Sequence, residues 1–165
     1  TMSIAAATAL WFLPFVLPIC FYVAFTDMRE MRIPNHAVIV LGALFLVLGL
    51  IALPLSEYPW RLLTLGVVLV IGIFLNAGGL VGAGDAKFAA AAAPFIDPGD
   101  LRLLIALFAA NLLAAFTTHM LVKITPARRI APHWESFHRK GDFPMGLSLG
   151  GTLGLYLLLG AFWGA

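Results

Sequence analysis

Residues 4–25, IAAATALWFLPFVLPICFYVAF, decide the fold. The run carries no charged side chain, and its apolar residues are continuous rather than alternating with polar ones. A hydrocarbon core of about 30 Å takes roughly 20 apolar helical residues to cross. Backbone groups in lipid must pair internally, which leaves helices and closed barrels as spanning structures. The lack of period-two alternation selects the helix. Further apolar segments follow at about 36–55, 61–79, 85–96, 101–122 and 144–163. The fourth is Ala-rich and too short to span unaided. It reads as a half-helix, or as a helix reached through the broken approach GGLVGAG.

Composition agrees. The chain has 165 residues, 62% hydrophobic and 11% charged, with a mean hydropathy of +1.00. A soluble domain carries about 25% charged residues, so this chain has too little polar surface to coat a water-soluble globule. The expected architecture is all-α: a polytopic integral membrane protein of about six transmembrane helices, one domain over residues 2–165. The single cysteine, Cys20, excludes a disulfide within the chain and a Cys-x-x-Cys zinc site. No Lys or Arg precedes the first apolar run, which reads as a mature helix and not a cleaved signal.

The basic residues set an orientation. With six spans, the connections between the first and second, third and fourth, and fifth and sixth share one side. They carry Arg29, Arg32, Lys87, Lys123, Arg128, Arg129, Arg139 and Lys140, whereas the other side has Arg61 and Arg102. The excess marks the first side as cytoplasmic, so both chain ends are expected on the outer, periplasmic side. The long basic connection KITPARRIAPHWESFHRKGD reads first as this topology signal plus attraction to anionic lipid. Small residues in AAATA and LSLGGTLG permit close helix approach and report packing. Asn111 and His119, within the fifth segment, read as helix-to-helix hydrogen bonds or interfacial side chains rather than as chemistry.

Two aspartates remain. Asp85 follows GGLVGAG, where four glycines in seven residues suggest a loosened backbone before the fourth helix. Irregular backbone at membrane depth is tolerated where protein or a water-filled cavity covers it. An ionisable residue there costs about 2.5–3.5 kcal/mol on insertion scales and marks a functional site. Asp27, in FTDMREMRIPN, closes the first helix on the same side. Its plain reading is a juxtamembrane ion pair with Arg29 or Arg32, of small energetic weight. Its other reading is a partner for Asp85. Two neighbouring carboxyls do not both ionise easily, so one holds its proton while the other is free to accept one. Such a pair suits peptide hydrolysis or proton-coupled transport, and composition does not choose between them. Glu57, Asp97 and Asp100 fall on the outer side, and Glu30, Glu135 and Asp142 lie in basic loops where charge pairing is the plain reading.

The residues around these aspartates resemble a known family. GAGDAK, residues 82–87, matches the Gly-x-Gly-Asp motif of membrane aspartyl proteases. With Lys87 it resembles the form in type IV prepilin peptidases. DMREMRIPN, residues 27–35, resembles that family's other aspartate region, and FPMG, residues 143–146, resembles the Pro-x-Gly that opens its last helix. The resemblance covers about residues 5–160. It implies a polytopic protease of the bacterial inner membrane that cleaves leaders from prepilins or pseudopilins with a hydrophobic N-terminal helix. Cleavage is implied at the cytoplasmic face, with membrane lipids as surroundings and no role for nucleic acid.

Carried over by position, Asp27 and Asp85 would be the catalytic pair. Gly82 and Gly84 would shape the backbone beside Asp85. Lys87, Arg32, Pro34, Asn35, Pro144 and Gly146 match supporting positions. Lys87 has the plain alternative of a cytoplasmic anchor, and two residues from Asp85 it should not share a helix face with it. Pro34 also suits the first turn of the second helix. No metal and no organic cofactor is implied. The larger, bifunctional members carry an N-terminal region with paired cysteines and also methylate the new N-terminus. This chain lacks those cysteines and is similar to the short, peptidase-only branch serving tight-adherence (Flp) pili. A small proton-coupled transporter would more naturally place carboxylates at the midplane of repeated halves, and no repeat is visible. A non-enzymatic assembly subunit would leave the GAGD context unexplained.

Overall fold

The computed structural model describes residues 1–138 and 143–165. Arg139, Lys140 and Asp142 of the basic connection lie outside the described residues. The described residues form six α-helices: α1 Ala6–Glu30, α2 Asn35–Ala52, α3 Tyr58–Ala77, α4 Ala83–Ala92, α5 Leu101–Ile124 and α6 Met145–Trp163. All but α4 are long and apolar enough to cross a membrane. The short fourth helix expected from sequence is present: α4 has 10 residues and runs into a 3₁₀ turn over Ala93–Phe95.

The helices are apolar all round, and packing decides which residues turn inward. On α1 the buried positions include Ala9, Phe12, Val16, Cys20, Val23 and Asp27, with Thr8 and Thr26 beside them. Their spacing of three and four traces one stripe along a 3.6-residue helix. Large apolar side chains such as Phe21, Val47, Phe74, Leu113 and Phe162 face outward, the arrangement expected where lipid is the solvent. Pro14 and Pro18 lie inside α1, as transmembrane helices tolerate.

An aromatic cluster fixes the middle of the bundle. The ring of Phe95, beyond α4, stands edge-on to Phe12 of α1 at 4.9 Å and to Phe45 of α2 at 5.3 Å. Tyr58 of α3 stacks on Phe45. This anchors the far end of α4. Small residues bring neighbours close: a methyl added at Gly72 of α3 would fall 2.9 Å from the Ala86 Cβ of α4. One added at Gly150 of α6 would fall 2.8 Å from the Cys20 carbonyl oxygen of α1. That is the close approach the small residues permit.

α1 and α6 run antiparallel. The N–H of Met2 donates to Trp163 O at 3.2 Å, and that of Ala165 to Ile4 O at 2.9 Å. The same end of the bundle holds a polar network. Arg61, 3% exposed, pairs with Asp97 at 2.8 Å. Asp100 accepts from the N–H groups of Ser3 and Ile4 and from the Tyr156 hydroxyl at 2.8 Å. Asp97 and Asp100, which offered little on sequence, bind the ends of α1, α3, α5 and α6 together.

Candidate active site

The opposite end of the bundle carries the aspartates. α1 ends with Met31 in the left-handed conformation at φ 52°, and the chain turns through Ile33 and Pro34 into α2. Pro34 stands at the N-cap of α2, one residue ahead of its first turn. Between α3 and α4 the backbone breaks over residues 78–82, as the glycines suggested. Gly79 takes φ +74°, a conformation that suits glycine, and the Asn76 side-chain amide donates to Val81 O at 2.9 Å. Gly82 ends that break, whereas Gly84 falls beyond it. Gly82 is the extended N-cap of α4, and Gly84 lies within the helix.

The value of glycine at 84 is steric. Its missing Cβ would stand 3.3 Å from the Cβ of buried Ile33, so the turn after α1 seats directly on the first turn of α4. A second link joins the same segments: Lys87 Nζ donates to Asn35 Oδ1 at 3.4 Å. RIPN and GAGDAK therefore touch each other.

FPMG closes the third side. Pro144 is buried at the N-cap of α6, and Gly146 follows in the first turn. The Gly146 N–H donates to Asp27 Oδ2 at 2.5 Å. That N–H is one of the donors a helix start leaves without an intrahelical partner, and the positive end of the helix dipole favours a carboxylate there. The contact is close enough to require glycine: a methyl at 146 would lie 2.8 Å from both Cβ and Oδ2 of Asp27. Asp27 is 5% exposed and does not form the surface pair with Arg29 that its neighbours allowed, since Arg29 pairs with Glu30.

Asp27 and Asp85 line one cavity of about 800 Å³, with Arg32, Asn35, Gly82, Gly84, Lys87, Phe143 and Met145 also in its wall. Lys87 thus reaches the same space as Asp85 despite its spacing, because the cavity surrounds the first turn of α4. Arg32 also lines a neighbouring hollow with Pro34 and His36. Asp85 lies outside the five long helices, in the first turn of α4. Burial, and then the charge of Asp27, push its carboxyl up to about 6. Two acids are thereby held in one enclosure where like charge resists double ionisation. Among the described residues no three His, Cys, Asp or Glu side chains gather as a metal site.

A chain of rings that leads to the cavity wall was not visible as part of the site in the sequence. Trp134 stands edge-on to Phe25 of α1 and stacks on Phe137, which stacks on His119 of α5. His119 in turn meets Phe143 in the cavity wall at 5.6 Å. The connection after α5 is thus pinned by rings across the mouth of the bundle. His119 is buried by aromatic packing and makes no hydrogen bond among the described residues, so of its two expected readings, a helix-to-helix bond or an interfacial side chain, the bond is not made. Asn111 does make that bond, donating to Ser148 O at 3.1 Å and Thr152 Oγ1 at 3.3 Å.

No curated protein and no solved structure matches the chain. The model of the type IV leader peptidase family matches residues 14–119, a span that includes both aspartates. The chain belongs to the type IV leader peptidase family, and at that level it is a multi-pass membrane peptidase of the aspartic type that acts on prepilins.

Proposed function

We propose that this chain is a single-domain endopeptidase that removes the leader from Flp-type prepilins at the cytoplasmic face of the bacterial inner membrane, with Asp27 and Asp85 as its catalytic pair. The observation that carries the reading is the shared cavity: three separate motif segments meet there and present two carboxyls to one space. The ionised carboxylate takes a proton from water as the oxygen attacks the scissile carbonyl carbon. The protonated carboxyl gives its proton to the carbonyl oxygen. Collapse of the tetrahedral intermediate breaks the C–N bond, and the amine leaves with a proton from the pair. Residues present supply all of these roles, so no cofactor enters.

The supporting residues act through the pair. Gly146 holds Asp27 by its N–H, Gly84 lets Ile33 close against α4, and Lys87 with Asn35 ties the two aspartate segments. Arg32 and Lys87 place positive charge at the mouth, on the side that the excess of Lys and Arg marks as cytoplasmic. We infer peptidase without methyl transfer, on the resemblance to the short, peptidase-only branch.

The test is incubation of the purified protein in lipid with a Flp-type prepilin, scoring the product by mass. The expected product has lost its leader and carries an unmethylated N-terminus. In sealed vesicles, cleavage is expected only of prepilin whose leader shares the side of the Arg128–Arg129 connection. A methylated product would remove the peptidase-only assignment, and cleavage from the opposite side would remove the orientation.

A further inference from the structure

A groove beside the catalytic cavity belongs to none of the roles above. It lies between α4 and α5, floored by α6, and has a volume of about 280 Å³. Ala89 of α4 and Ala93 at its C-cap, Ile105 and Phe108 of α5, and Leu149 and Thr152 of α6 line it. Its chemistry is almost wholly apolar. The hydroxyl of Thr152 is already used, donating to Ser148 O at 2.6 Å and accepting from Asn111, so the groove offers an occupant no free polar partner.

The groove is continuous with the site. Asp85 and Ala89 of α4 and Ala93 at its C-cap, where the backbone is still in the right-handed helical conformation, follow one another at intervals of four, which places them on one helical face. On α6, Met145 of the cavity wall is followed at the same interval by Leu149. Two helices thus carry a single surface from the aspartates into the groove. From Asp85 to Ala93 the helical stretch rises roughly 12 Å, or a little over two turns. The alanines keep the α4 backbone near the surface, which lets another helix approach closely. α5 leans on α6 through Asn111, and Ile105 stays 60% exposed on the outer rim, so the groove opens sideways.

We propose that this groove seats the apolar helix of the substrate, laid along α4 so that the bond to be cut arrives beside Asp85. The inference rests on the peptidase reading above. A helix is favoured as occupant because its backbone polar groups are paired within itself. The hollow between α1 and α6, lined by Leu17, Phe21 and Leu158, is also apolar, but no residue of α4 lines it.

Two experiments with the full chain test this. The first compares a full-length Flp-type prepilin with a peptide that spans the cleavage point and stops before the apolar helix. Ala93→Trp and Ile105→Trp fill the groove from its α4 wall and its outer rim. For each, KM for the full prepilin should rise about tenfold with kcat kept, the signature of lost uniform binding, while cleavage of the short peptide stays as in the unmutated protein. The second uses Asp85→Asn, Cys20→Ala enzyme carrying Ala93→Cys or Leu158→Cys, mixed with prepilin bearing a cysteine in its helix. Crosslinks are expected from position 93 and not from 158. Unchanged KM in both tryptophan variants, or crosslinks from 158 alone, would overturn the groove while leaving the peptidase reading intact. Crosslinks from 93 only to a second copy of the enzyme, or capture there of only a photoactivatable lipid, would overturn it in favour of those occupants. Failure of the unmutated protein to cleave any prepilin would overturn the peptidase reading, and the groove with it.

Discussion

Replacing Gly146 by alanine should cripple cleavage without unfolding the protein. The added methyl would stand 2.8 Å from the Asp27 Cβ and Oδ2 and 2.9 Å from its Cγ. Carbon contacts are comfortable at about 3.5–4.0 Å, so α6 and Asp27 must separate by roughly 0.7 Å or more. The Asp27 Cβ sits on the α1 backbone and cannot swing aside as the tip of a long side chain would. The 2.5 Å bond from the Gly146 N–H lengthens or breaks, and Asp27 leaves its place in the cavity. Overpacking of this kind costs about 1–3 kcal/mol of stability. A displacement near 1 Å in an active site costs about 10²-fold in rate. Prepilin cleavage under single-turnover conditions, well below the unfolding temperature, should therefore fall by about 10²-fold in Gly146→Ala. Gly42→Ala is the control. Nothing lies within 4 Å of the methyl it adds on α2, and kcat should be unchanged. Full activity in Gly146→Ala would refute the claim that this contact positions Asp27.

Other expectations follow from the same geometry. Asp85 has a carboxyl raised to about 6 by burial and by Asp27. Because its protonated form persists below that value and is lost above it, kcat/KM should fall as pH rises through about 6; a flat profile from pH 5 to 8 would remove the shared proton from the mechanism. Gly84→Val places two methyls against Ile33, whose Cβ would already be 3.3 Å from the first added carbon. Cleavage should be lost while the protein still inserts, and wild-type turnover would show that this seat is not needed. Asp97→Asn leaves the guanidinium of Arg61, 3% exposed, with Glu57 at 3.6 Å as its remaining acid. Stripping one partner from a buried pair costs about 3–5 kcal/mol, and Glu57 offsets part of it. Thermal unfolding in detergent should come earlier, with turnover by the folded fraction unchanged.

The five long helices were legible because lipid leaves a simple record: apolar runs of the required length, broken by charges, prolines and glycines. The short α4 was legible in the same record, since FAAAAAPF is too brief to cross. The meeting of Asp27 and Asp85 was expected from topology and family resemblance. The spacing of Ala9, Phe12, Val16, Cys20, Val23 and Asp27 held a further signal that places Asp27 on the buried stripe of α1. Hydropathy alone hides that stripe, because nearly every neighbour is equally apolar. The bond from Gly146 to Asp27 joins residues at opposite ends of the chain, and no local pattern announces it. The same holds for Arg61 with Asp97, and for the rings of Trp134, Phe137 and His119, whose partners are set by how α1, α5 and the last connection pack. Lys87 entered the cavity against its helical spacing because the first turn of α4 is wrapped by the site rather than facing it on one side.

The central claim is that two aspartates act as one unit. Its most direct measurement is single-turnover cleavage of a prepilin by Asp27→Asn, Asp85→Asn and the double variant, each shown to be folded. Groups that share one proton and one water fail together, so each single change should remove essentially all cleavage and the double change should be no worse than either. Substantial cleavage by either single variant, or losses that multiply in the double, would contradict it.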